Sequence, residues 1–270
     1  MAAFRSAYSP KEDVDLSSPL VGRKRGRIPR DYAAIPYGKL PGARRAEDSE
    51  VQLIPFDEWP DRIKEQEDTK TRLSDMLKQA GIQAMDQDGL SYCWVYAVTQ
   101  DLQSKRRLAG EPLVLLVPES AGAFIKNFRD VGGWGGEALE FMADRGVASQ
   151  KFWKRHSLSR SNDTPEMRAN ALLHRVTESF EFDPRNWQML GSQLLARGGI
   201  DGGYNFMGHE VFVTDLLYLG GRVDSESSYG VRYLNSWKPS WGDNGYGVIK
   251  GSRWVMDDAC SVRVSRASVN

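Results

Sequence analysis

The feature that most constrains this chain is a change of texture near Tyr204. Before it, apolar residues recur at helical spacing between turn signals; after it, runs of strand length are rich in Val, Phe, Tyr and Leu. Helices first and strands later predict an α+β arrangement of two layers rather than a doubly wound sheet. Asp61 to Ala80 reads as one polar-faced helix stopped by Gly81. Cys93 to Leu108 reads as an amphipathic helix: Trp94, Val95, Val98 and Leu102 form its stripe, Lys105 to Arg107 suit its negative end, and Gly110 suits its exit. Further helices are predicted over Glu137 to Arg145 before Gly146. Two more, Glu166 to Phe180 and Arg185 to Arg197, follow the openings Thr164-Pro165 and Asp183-Pro184. A chain of 270 residues has room for one large domain or two small lobes around a cleft.

Residues 1 to about 50 differ from the rest. Five prolines punctuate them, apolar periodicity is absent, and between Leu20 and Arg45 eight basic residues stand against a single acid, Asp31. They read as an extended, flexible basic arm. Such an arm is either a strap that docks on an acidic surface or nucleic acid, or a solvated tail, the commoner fate of a basic run.

Composition excludes several classes. Lys and Arg number 36, as do Asp and Glu. That balance removes any whole-chain electrostatic case for nucleic acid or anionic membrane as main partner. No apolar run approaches the ~20 residues of a membrane helix, and Met1 to Pro10 lack the apolar core of a secretory signal. Two cysteines, Cys93 and Cys260, cannot make a disulfide framework or a four-thiolate zinc site, and they fit a reducing compartment. Three histidines leave little for a metal centre. No metal or other cofactor is expected, and a cytoplasmic or virion-associated chain is.

His209 opens one predicted strand and Asn235 closes another, with Arg222 midway in the turn-rich stretch between them. An antiparallel hairpin would bring the two abreast at its open end. There a side-chain amide can fix one ring nitrogen and leave the other free for proton transfer; an accidental pair of half-buried polar residues is the plain alternative. Cys93 sits in the first turn of its helix, where the dipole favours thiolate, although a lone cysteine before Trp94 is more often a small core residue. His156 reads as part of a solvated basic face, His174 as an unpartnered helix residue, and Phe152, Trp153 and Trp187 as core.

The segment Gln87-Asp88-Gly89-Leu90-Ser91-Tyr92-Cys93-Trp94 resembles the nucleophile segment of papain-like cysteine proteases. Gly208-His209-Glu210-Val211 resembles their histidine strand, and the block from Asn235-Ser236-Trp237 to Trp241-Gly242-Asp243-Asn244-Gly245-Tyr246 their Asn-Ser-Trp motif. The family places its His and Asn roughly 130–150 residues after the Cys; Asn235 fits that interval and His209 falls short of it. The resemblance implies a papain-like two-lobe α+β fold: a helical lobe (about 51–150), a variable helical insertion (about 151–200) and a β-rich, barrel-like lobe (about 201–270), together one peptidase domain over 51–270.

It further implies Cys93 as nucleophile, His209 as base and then acid, Asn235 as orienter behind Trp237 and Trp241, and Gln87 with the Cys93 N–H as oxyanion hole. Trp94 follows the nucleophile as the family's aromatic does. Gly135 and Gly136 resemble the glycines that meet an extended substrate, unless they form a plain turn, and Ser265 resembles a residue at a pocket floor. The substrate would be a peptide or protein, cut through a thioester acyl-enzyme, with the Cys93–His209 pair ionised near neutral pH. The departures are Leu90 for the usual disulfide cysteine, Tyr92 beside the nucleophile, and Glu210 after the histidine. Glu210 would favour a basic residue if it points into the pocket and mean little if it points outward. The first 50 residues are too short for the family's long helical propeptide, so no ordinary zymogen is expected. Two other readings stand beside the peptidase: a cell-wall amidase with the same triad, and a catalytically idle structural or binding module, for instance of a virion.

Overall fold

The computed structural model describes residues 24–48 and 52–264. Among them lie seven α-helices and seven strands. In chain order these are β1 (Ala43–Arg45), α1 (Trp59–Asp68), α2 (Leu73–Gln79), α3 (Cys93–Leu108), α4 (Glu119–Ile125), α5 (Gly135–Asp144), α6 (Pro165–Leu172), β2 (Glu178–Phe182), α7 (Trp187–Leu195), β3 (Ile200–Tyr204), β4 (His209–Tyr218), β5 (Tyr229–Leu234), β6 (Tyr246–Lys250) and β7 (Asp258–Arg263). The strands form a single sheet in the order β1-β2-β7-β3-β4-β5-β6. This is the expected α+β class, although β1 precedes the helices and β2 falls between α6 and α7.

Two smaller apolar cores and two larger ones hold it together. One gathers Trp94, Val98 and Leu102 of α3, Ala138 and Met142 of α5, and Cys260 and Val262 of β7. The other packs Trp59 of α1 and Leu190 of α7 onto the β-rich half, with Tyr204, Tyr233 and Trp254. Trp59 is fully buried, and its ring meets those of Phe56, Trp187 and Tyr229 edge-on. Polar side chains of α3 fix its place between the cores. Asp101 accepts from the Val262 N–H at 3.0 Å, and Gln100 accepts from the Met85 N–H at 3.0 Å while donating to the Leu234 carbonyl at 3.3 Å. A buried polar residue is tolerable only when it is bonded in this way, and here each bond also locates the helix that begins at Cys93.

The predicted elements need four corrections. The helix expected over Asp61 to Ala80 is two, because Lys70 enters the left-handed region (φ 56°) and turns the chain. The helix expected over Glu166 to Phe180 stops at Leu172; Glu178 onward is β2, whose inward residues pair with β7. Asn186, not Asp183, caps the next helix, accepting from the Met189 N–H at 3.1 Å. The arm is not a solvated tail over its described part: β1 pairs in parallel with β2, Leu40 is buried, and the Arg27 and Arg30 side chains are each 1% exposed. Three other expectations hold: α3 exits through Gly110 (φ 96°), Gly81 (φ 79°) ends α2, and β4 and β5 form the hairpin that joins His209 to Asn235.

His174 lies past α6 rather than on it, buried, with no hydrogen-bond partner for Nδ1 among the described residues. Burial, helped by Arg106, lowers its pKa to about 4. The unfolded chain, with an ordinary histidine near 6.5, therefore binds a proton that the fold does not. The stability this neutral ring contributes is present above about pH 6.5 and is lost as pH falls toward 4. The stability of His174→Gln relative to wild type, from urea unfolding, should accordingly rise between pH 6.5 and 4.5. A difference independent of pH contradicts the burial of a neutral imidazole.

Candidate active site

Cys93 is the first residue of α3 and is fully buried. The backbone N–H of Glu210, one residue past His209, faces its sulfur. His209 opens β4 and Asn235 follows β5, so the hairpin carries both to one end. His209 Nε2 lies 2.8 Å from Asn235 Oδ1. That oxygen also accepts from the Ser236 N–H at 2.8 Å, which fixes the orientation of the amide, so Nε2 is the ring nitrogen that donates. Nδ1 is left with no hydrogen-bond partner among the described residues. Trp237 stacks on the His209 ring at 4.6 Å and 25°, and Trp241 meets Trp237 edge-on at 5.3 Å. Trp237 thus covers one face of the ring, with Trp241 packed behind it.

Gln87 reaches the same place through a clasp with Ser236. Its backbone N–H donates to the Ser236 carbonyl at 2.9 Å, and its Oε1 accepts from Ser236 Oγ at 2.5 Å. Its Nε2 donates one N–H to the Leu90 carbonyl at 2.5 Å and turns the other into the cleft. The structure joins Gln87, Asn235 and His209 through Ser236 and sets the Cys93 sulfur against the backbone of Glu210 beside His209, from three separate stretches of chain; among the described residues no hydrogen bond joins Cys93 Sγ to His209 Nδ1. Trp94 stands behind them, its Nε1 bonded to the Ser91 carbonyl at 3.1 Å and its ring against Gly133. Tyr92 does not narrow the cleft: its ring packs into the helical core over Gly122, and its hydroxyl bonds the Arg129 carbonyl. Cys260 is a buried free thiol of β7. His156 is exposed, as expected of a solvated face, with its Nε2 2.7 Å from the Asp86 carbonyl.

The cleft is filled by the chain's own residues 24–30, a strap that sequence reading left unplaced. The Lys24 carbonyl accepts from Gln87 Nε2 at 3.0 Å, and the Gly26 N–H donates to Cys93 Sγ at 3.3 Å. The Gly133 N–H donates to the Gly26 carbonyl at 2.8 Å, and the Ile28 N–H donates to the Gly133 carbonyl at 2.7 Å. On the other wall the Arg27 N–H reaches the Gly208 carbonyl at 3.3 Å. An extended segment is therefore held on both walls by backbone bonds, in the manner of an added strand.

The glycines that meet it are Gly133, through its backbone bonds, and Gly132, where a Cβ would lie 2.4 Å from the Gly26 carbonyl oxygen. Gly135 and Gly136, predicted for that part, instead open α5, and the Gly135 N–H donates to Glu210 Oε2 at 3.1 Å. Gly26 must be glycine, because a Cβ there would sit 1.9 Å from the Ser91 carbonyl oxygen. Three basic residues of the strap meet acids, Lys24 at Asp130 (2.5 Å), Arg27 at Glu210 (3.2 Å) and Arg30 at Glu181 (3.0 Å) and Asp258 (3.3 Å), while Arg25 donates to the Met207 carbonyl at 3.0 Å. Glu210 thus points into the cleft. Ser265 lies outside the described residues.

Under the strap, the Cys93–His209 pair is not the expected thiolate and imidazolium. Burial pushes the Cys93 thiol up to about 12, with the Glu210 carboxyl adding to the rise against the Gly26 and Glu210 N–H groups and Arg27. Burial lowers His209 to about 4, opposed by its bond to Asn235. Taking water away disfavours whichever form is charged, so both partners are neutral. Glu210 is likewise pushed by burial, to about 8, against the pull of Arg27. Among the described residues no cluster of three His, Cys, Asp or Glu could hold a metal ion, and no helix is long and apolar enough to cross a membrane.

The fold is papain-like. Xylellain, a cysteine protease from Xylella fastidiosa, superposes with a TM-score of 0.57 at 14% identity, covering 91% of this chain and 97% of that one. Digestive procathepsin L2 proteinase from Tenebrio molitor larval midgut gives 0.55 at 16%, over 70% and 67% of the two chains. The recombinant stem bromelain precursor gives 0.54 at 17%, over 70% and 69%. No family profile and no curated sequence matches the chain. At these identities the likeness establishes the fold alone.

Reactivity follows from the burial. In the native chain at pH 6, iodoacetamide should leave both cysteines unmodified, as judged by intact mass, whereas the urea-unfolded chain should lose both thiols as pH approaches their ordinary value near 8.5. Rapid alkylation of native Cys93 at pH 6 contradicts the covered, neutral site.

Proposed function

We propose that this protein is a cysteine peptidase whose cleft is closed by its own residues 24–30. The observation that carries the proposal is the bond from Gln87 Nε2 to the Lys24 carbonyl beside Cys93. A peptide carbonyl already occupies a donor that an oxyanion would need, within a groove that grips extended backbone. The strap itself is out of register for cleavage. The atom against the sulfur is the amide nitrogen of Gly26, not a carbonyl carbon, and the carbonyl on Gln87 belongs to a residue two places away.

With the strap displaced, water reaches the sulfur and the ring, and burial no longer holds both neutral. His209 Nδ1 takes the Cys93 proton while Nε2 stays on Asn235. The thiolate attacks the substrate carbonyl carbon, and the negative oxygen is received by Gln87 Nε2 and the Cys93 N–H. As the C–N bond breaks, His209 returns the proton to the leaving amine, leaving a thioester on Cys93. Water, deprotonated by His209, attacks the thioester; the acid leaves and the thiol is restored.

The test opens the cleft at the closest backbone approach. Gly26→Ala forces a Cβ onto the Ser91 carbonyl, so it should expel the strap and raise both Cys93 alkylation at pH 6 and hydrolysis of a casein substrate by at least about tenfold. Adding Cys93→Ala should abolish both, and adding Gln87→Ala should lower turnover by about 10²–10³. Labelling that survives Cys93→Ala moves the reactive thiol to Cys260. A Gly26→Ala chain that alkylates but cuts neither casein nor cell wall supports the idle binding module instead, and one that clears only cell wall supports the amidase.

A further inference from the structure

Three neighbouring strands set Asp258, Gly203 and Glu210 abreast, since Gly203 pairs with Asp258 on β7 and with Glu210 on β4. Residues directly opposite each other in antiparallel strands share a face, so two carboxyl groups flank a bare backbone position. A Cβ on Gly203 would lie 1.9 Å from Arg27 Nη1 and 2.2 Å from Cζ. The missing side chain is the space in which the guanidinium lies. Arg27 Nη1 donates to Glu210 Oε2 at 3.2 Å and stands 3.9 Å from Asp258, while Nε donates to Asn205 Oδ1 at 3.1 Å.

Glu210 is itself fixed. The oxygen that accepts from Arg27 also accepts from the Gly135 N–H at 3.1 Å, and a Cβ on Gly135 would fall 2.1 Å from its other oxygen. Two glycines and the strand register therefore build a slot shaped for a flat cation with donors along one edge. The slot adjoins the nucleophile, because the backbone N–H of Glu210 faces the Cys93 sulfur.

We infer that this slot is the specificity pocket of the cleft and that it selects an arginine side chain in the peptide being cut, within two residues of the bond that breaks. The inference rests on the peptidase reading, with Arg27 standing in for the substrate side chain. An apolar side chain in the slot leaves the desolvated Glu210 carboxyl without its counter-charge, which a site built for hydrogen bonding rejects strongly. Lysine brings a point charge that meets one acid but cannot place a second donor on Asn205 in the way Nε does.

The experiment uses the full-length Gly26→Ala chain and fluorogenic peptides in which arginine is exchanged, position by position, for citrulline, its neutral isostere. At one position within two residues of the cut, citrulline should lower kcat/KM by at least about thirtyfold, and Glu210→Gln should shrink that ratio to a few-fold. A second measurement needs no turnover: the Gly26→Ala, Cys93→Ala chain should bind the arginine peptide at least about thirtyfold more tightly than its citrulline twin by fluorescence anisotropy. Equal kcat/KM and equal affinity at every position overturn the pocket while leaving the peptidase reading standing. Cleavage of no peptide, with Cys93 still unreactive and no difference in binding, overturns both.

Discussion

The clasp between Gln87 and Ser236 is the constraint on which the rest of the site depends. Gln87 precedes the helix that carries Cys93, and Ser236 follows the strand that delivers Asn235. Their paired bonds, backbone to backbone and side chain to side chain, lock those two stretches at one distance. Because Gln87 gives its oxygen to Ser236 and one N–H to the Leu90 carbonyl, its other N–H faces the cleft. Because Asn235 spends its oxygen on the Ser236 N–H and on His209, the ring has one tautomer. A single serine thus bonds both amides and helps to set their direction.

Much of this was legible in the sequence, for reasons that differ from element to element. The helix from Cys93 announced itself because stripe, basic end and exit glycine all agree, and the hairpin did so because turn residues sit midway between His209 and Asn235. The helix over 166–180 was misread because its opening is strong and no residue signals its end. Its second half became β2, whose Phe180 and Phe182 bury against neighbours far away in sequence. Gly133 was passed over for Gly135 and Gly136 because only the path of the strap distinguishes them. The strap itself is illegible for a plain reason: its basic residues are clustered within seven positions, whereas Asp130, Glu181, Glu210 and Asp258 are scattered across nearly half of the chain. A charge run can suggest that acids exist, but only the fold says where they collect.

Desolvation is what ties the strap to the state of the site. The same closure that buries Cys93 holds its proton on and keeps His209 neutral, so the covered cleft is obstructed and also chemically at rest. The arginines that hold the strap in place are buried beside acids, where removing one partner costs several times what a surface pair is worth. Closure and quiescence are therefore one event seen from two sides.

The anchoring of the strap's downstream end carries a kinetic consequence. Just beyond the exposed loop at 31–39, the Leu40 N–H bonds to Glu181, and β1 is stitched to β2. A segment that lifts off Cys93 stays leashed about ten residues from its berth, at an effective concentration of order millimolar. It competes with every incoming ligand on each encounter, and dilution cannot relieve it. Severing the leash within that loop would turn a first-order return into a second-order one, so that the same contacts would hold on a crowded bench and let go in a dilute one.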